Sequence, residues 1–193
     1  RCVGRSCHAP PYGYLDLPHQ APLPTWFAAA RWADAHGLRV AYSDATFRPE
    51  HVPNRITGVA WLWREAGRPS GSPPNPYVDV PAASDRMVDW AFAERVVRPV
   101  ADRRLHPEAA LTRAQWADMV WRAVDQPGAG STRLPSDVDP SSAAAEAIRW
   151  LVSDPPGSLD PIVSLGADRT FRPRASITRA EAVTWVHAAV ARR

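Results

Sequence analysis

Asp168-Arg169-Thr170-Phe171-Arg172-Pro173, followed three residues later by Ile177-Thr178-Arg179-Ala180-Glu181, is the stretch from which the fold can be read. Thr178 and Glu181 form a capping box: the hydroxyl accepts from the amide at the third helical position, and the carboxylate reaches back to the cap amide. Val183, Val186 and Val190 then recur at helical spacing, so a helix begins after Thr178. Thr112 and Gln115 repeat the box, and Trp116, Met119, Val120, Ala123 and Val124 form the apolar stripe behind it. Upstream of Asp168 lies an Ala- and Trp-rich helical stretch, 143–152, which gives the order helix, irregular loop, helix.

The same landmarks occur three times. Tyr14-Leu15-Asp16 leads to Asp44-Ala45-Thr46-Phe47-Arg48-Pro49 and Ile56-Thr57-Gly58. Tyr77-Val78-Asp79 leads to Asp102-Arg103-Arg104-Leu105-His106-Pro107 and Leu111-Thr112-Arg113. Ser136-Asp137-Val138 leads to the stretch quoted above. Asp16 and Asp79 are 63 residues apart, and Asp79 and Asp137 are 58 apart. The expected organisation is a tail or linker over 1–13 and copies at 14–67, 77–126 and 136–193, joined by Pro/Gly/Ser-rich linkers at 68–76 and 127–135. One pair of short helices cannot bury its apolar face alone, so the expectation is an all-α fold with the copies around a shared helical centre. In the first copy Thr57 takes the cap position and Gly58 stands where the others have Arg113 and Arg179.

Composition narrows the functions available. Hydrophobic residues are 45% and charged residues 22%, ordinary values for a globular chain, and no apolar run approaches the ~18 residues of a membrane span. All 23 basic residues are arginine and the net charge is +3, with acids interleaved, which argues against nucleic acid as a partner. Cys2 and Cys7 are spaced for a small surface disulfide, with free thiols or zinc beside His8 as the other readings. The chain opens on Arg1 without a secretory leader, as expected of a processed or partial chain.

Arg113 and Arg179 are the candidate binding residues. Both fall at the first helical position, where the helix dipole disfavours a cation by roughly 0.3–1 kcal/mol, so capping alone does not explain them. An arginine fork beside free helix amides makes an anion site. Asp16, Asp79 and Asp137 recur at the opening of the copies and can accept hydroxyls of a ligand or cap their own helices. Trp26, Trp90 and Trp150, three of nine tryptophans, are candidate groove walls able to stack on a sugar face, although core packing suits any one of them as well.

The threefold order of an Asp-Val-like opening, an Asp-x-x-Phe-x-Pro-like loop and an Ile-Thr-Arg-Ala-Glu-like helix start, with Leu105 for the loop Phe in the second copy and Gly58 for the arginine in the first, resembles the S-layer homology (SLH) family over residues 14–193. The resemblance implies a pseudo-threefold helical spindle that anchors bacterial surface proteins by holding acidic, often pyruvylated, secondary cell-wall polysaccharide in grooves between copies. It implies an extracellular, cell-surface location and makes Arg113 and Arg179 the groove arginines, with Gly58 leaving the first copy without one. An alternative is a structural module that contacts other proteins in a surface assembly. No hydrolase elbow, phosphate loop or zinc-protease motif occurs in the sequence, and the Asp137-x-Asp139-x-Ser141 run lacks the turn glycine and closing carboxylate of a calcium loop. The expectation is therefore no enzyme, cofactor or metal.

Overall fold

Six α-helices, and no β-strand among the described residues, carry the fold: α1 Phe27–Ala35, α2 Arg55–Glu65, α3 Asp85–Ala93, α4 Arg113–Ala123, α5 Ala145–Leu151 and α6 Arg179–Val190. The computed structural model describes residues 14–16, 22–98, 102–129, 132–154 and 160–193. The expected Cys2–Cys7 disulfide lies outside them. None of the helices is long and apolar enough to cross a membrane.

The second helix of each proposed copy starts on a capped residue. Thr112 and Thr178 accept from the amides of Gln115 and Glu181, whose side chains return to the cap amides. At α2 the expectation needs correction. Thr57 is not the cap: Asn54 is, its side-chain oxygen accepting from the Thr57 amide at 3.0 Å. The helix thus starts three residues earlier than the Thr57-Gly58 reading, and Arg55 occupies the position of Arg113 and Arg179. Asparagine caps as well as threonine, so the shift costs the helix start nothing.

The next two amides of each start, which the helix cannot satisfy itself, bond to a loop distant in sequence. Arg55 and Ile56 donate to Ala109 and Pro107 at 2.9 Å each. Arg113 and Ala114 donate to Ala175 and Pro173 at 2.8 and 3.0 Å, and Arg179 and Ala180 to His51 and Pro49 at 2.8 and 3.0 Å. The first loop feeds α6, the second α2 and the third α4, so the chain closes on itself. Helix packing follows suit: α3 packs on α2, α5 on α4, and α1 on α6 from the other end of the chain.

α4 touches both α2 and α6. Its Trp116 is fully buried, donates from Nε1 to the Ala182 carbonyl of α6 at 3.1 Å, and meets Trp61 of α2 edge-on. Gly58 makes room for that ring. A β-carbon at 58 would stand 2.6 Å from Leu111 Cδ1 and 2.8 Å from Trp116 Cζ3. Gly58 therefore marks the place where α2 lies against the α4 indole, and not a missing arginine. Gly58→Ala is expected to destabilise the protein by about 1–3 kcal/mol through overpacking, measured by denaturant unfolding.

Candidate functional site

The three opening aspartates act on loops. Asp16 accepts the amides of Phe47 and Arg48 at 2.8 and 2.7 Å, Asp79 those of Leu105 and His106 at 2.8 and 2.9 Å, and Asp137 those of Phe171 and Arg172 at 2.9 and 2.7 Å. None caps a helix. Each fixes the turn that sends Phe47, Leu105 or Phe171 into the core, where all three are buried. Arg48, His106 and Arg172 hold φ of 53–59°, the left-handed region that a side chain enters at some cost. The aspartate bonds help to hold them there.

The helix-start arginines are not the exposed clamps that their position in sequence suggests. Arg179 is 5% exposed; its Nε donates to Phe47 O at 2.8 Å and a terminal nitrogen to Val40 O. Its guanidinium lies 4.4, 5.1 and 5.4 Å from the ring centres of Tyr42, Trp61 and Phe47. Burial pulls its pKa below the usual arginine value. Arg113 donates from Nε to Phe171 O at 2.8 Å, pairs with Glu181, and lies 5.0 Å from the rings of Phe171 and Trp185. Arg55 bonds to Leu105 O. Because the adjacent backbone amides also have partners, the free-amide part of the expected anion site is absent at all three starts. The sequence reading missed Arg55; its signal was Asn54, a strong cap residue immediately before an arginine.

The tryptophans divide. Trp90 and Trp150 are 6% and 5% exposed and belong to the hydrophobic core, so they are not groove walls. Trp26, the residue before α1, is half-buried and stacks on Phe47 at 5.2 Å. Large apolar rings gain more from the core than from a wet groove.

Several cavities open at the described residues, among them one of about 330 Å³ beside Arg113 and Glu181 and two that are each lined by three arginines. The larger, about 820 Å³, is lined by Arg98, Gln115, Asp118, Asp137, Arg172 and Arg174 among others. In its wall the buried Asp118 receives both arms of Arg98 at 2.7 and 2.9 Å and Nε of Arg122 at 3.0 Å. Arg98 also donates to Ala143 O at 2.8 Å, joining the end of the α3 region to the approach to α5. A smaller cavity of about 310 Å³ is lined by Arg39, Tyr42, Trp61, Arg64, Met87 and Arg179, with no carboxylate among its lining residues. Burial, then the like charges of Arg39 and Arg68, lowers the pKa of Arg64, which is held by a 2.9 Å bond to Leu38 O. Arg39 is exposed and has no ion-pair partner among the described residues. Three guanidiniums beside an apolar wall suit an anionic ligand that also has a C–H face. Asp118 and Arg39 have no counterpart among the repeated motifs, which is why motif reading passed over them.

Residues 158–183 match the model of the S-layer homology domain. The matched segment takes in the Asp168–Pro173 loop and the start of α6. No curated protein matches the chain. The likeness is confined to that segment of the third copy.

Arg179→Ala is expected to lower stability by about 2–4 kcal/mol, because it leaves the Phe47 and Val40 carbonyls buried without a donor. Arg174→Ala, at an exposed residue, should stay within about 0.5 kcal/mol of the parent. Thermal and denaturant unfolding of both variants check the contrast.

Proposed function

We propose that this chain is a protein of the S-layer homology family and a non-catalytic anchor for an acidic secondary cell-wall polysaccharide, with the anionic substituent, a pyruvate ketal or similar carboxylate, held in the pocket of Arg39, Arg64 and Arg179. The observation that carries this reading is the pocket's composition: three arginines from three parts of the chain, Trp61 and Met87 as apolar wall, and no lining carboxylate. Arg179 supplies positive potential from a fixed position, and Arg39, exposed and partnerless, supplies the direct contact. The 820 Å³ cavity is a second sugar subsite, where Gln115 and Asp137 offer groups for hydroxyls and Arg174 a further cation.

This reading places the three sequence copies side by side as one unit, with pockets at their junctions. Its support is the equivalence of Asp16, Asp79 and Asp137 and of Arg55, Arg113 and Arg179 in their bonding. Arg55 gives the first copy an arginine at the helix start, so the absence of one there does not favour the protein-partner alternative.

Arg39→Ala is expected to weaken retention on bacterial cell-wall sacculi about tenfold, the worth of one charge-assisted contact, with no change in melting temperature. Co-sedimentation before and after chemical stripping of the accessory polysaccharide measures it. Retention that survives stripping would point to a protein or peptidoglycan partner instead.

A further inference from the structure

The ends of the chain meet at one interface. α2 and α3 are joined directly along the chain by residues 66–84, and α4 and α5 by 124–144, but α6 and its packing partner α1 have no such connection. Their contact is held by side chains and by the bonds of the first loop to the start of α6.

At that interface Trp32 of α1 stands against two imidazoles. His36, just past the end of α1, stacks on it at 4.7 Å with the rings 30° apart, and its Nδ1 lies 2.8 Å from Trp32 O. His187 of α6 meets the same ring at 5.0 Å. Neither histidine is paired with a carboxylate among the described residues. The ionisable groups on the surrounding elements are engaged elsewhere: Asp34 with the Tyr14 hydroxyl and the Val40 amide, Glu65 of α2 with Arg193, and Arg192 with Asp160 O. Arg31 of α1 is exposed. Burial, then the neighbouring His36, lowers the pKa of His187 below its ordinary 6.5. An indole face attracts a single cation. Here two cations would share one ring, and one of them is half-buried.

The same contact assembles the Arg39–Arg64–Arg179 pocket. Arg39 and Tyr42 follow α1 directly, and Arg179 begins α6.

We infer that the α1–α6 contact is an acid-sensitive latch on this pocket, in which protonation of His187, wedged against Trp32 beside His36, loosens α1 from α6 and dismantles the site that holds the anion. Closed, the protein binds the His187 proton less readily than it does when open. Closure is therefore fully favoured above pH 6.5 and weakens as the pH falls through that value. By linkage, an anion bound in the pocket holds the latch shut to lower pH. The statement about ligand release rests on the function proposed above; the latch itself does not.

Hydrogen exchange of the whole chain, corrected for intrinsic rates, tests it at about pH 7.5 and about pH 5, on either side of the imidazole range. Relative to α4, protection of α1 should fall severalfold, and the His36→Gln/His187→Gln variant should lose less than half as much. His36→Gln alone, at an exposed residue, should fall in between, and it serves as the test if the double variant does not fold. Protection of α1 and α4 that changes in parallel, or an undiminished loss in the variants, overturns the latch. Sacculus retention at the same two pH values tests the coupling. Retention should drop at acid pH in the parent and persist in the double variant; equal retention by the parent at both values overturns the coupling. If the parent binds at neither pH the glycan reading fails, and the exchange result still decides the latch.

Discussion

Six backbone hydrogen bonds, two at the start of each of α2, α4 and α6, settle a problem that every helix has and at the same time determine where the helices sit. The amides left over at a helix start must find acceptors. Here the acceptors belong to loops far away in sequence, each held in shape by an aspartate whose carboxylate takes two adjacent amides. Remove the aspartate and the carbonyls at Pro49 and His51, or their counterparts, lose their places. The helix start then has neither partner nor position.

The buried arginines belong to the same arrangement. Arg179 and Arg113 cross from the helix start to the loop and bond the carbonyl of the loop's aromatic residue, while their planar heads lie against the rings that the loop buries. Arg55 does the equivalent with Leu105 O. An arginine suits this better than a lysine because its stem packs, its fork bonds carbonyls, and its flat face tolerates aromatic neighbours. Arginines outside the motif, such as Arg39, keep side chains that the fold does not already use.

The capping boxes at Thr112 and Thr178, the helical stripes and the loop prolines are legible in the sequence because each depends on residues within a few positions. Reading α2 fails at Thr57 because Thr-Gly imitates a cap, and only the bond from Asn54 reveals the true start. The burial of Arg179 cannot be read locally at all. It depends on Val40, Tyr42 and Phe47, more than 130 positions away in the chain. The same is true of Gly58, whose size is set by an indole on α4. The candidate pocket lies beyond motif reading for a related reason: its members come from the loop after α1, from α2 and from α6, with no spacing to announce them.

In the anchoring role proposed above the fold would carry load, and the meeting of α1 with α6 decides where that load is felt. Tension entering from the N-terminal side reaches α1 first, and tension from the C-terminal side reaches α6. In both cases the contact between them is strained before the Trp116 centre. The carbonyl bonds of Arg179 to Phe47 and Val40, together with the amides bonded to Pro49 and His51, are then the first to resist. α1 and α6 are the contacting helices farthest apart along the chain, so separating them breaks these bonds without first stretching a connecting loop.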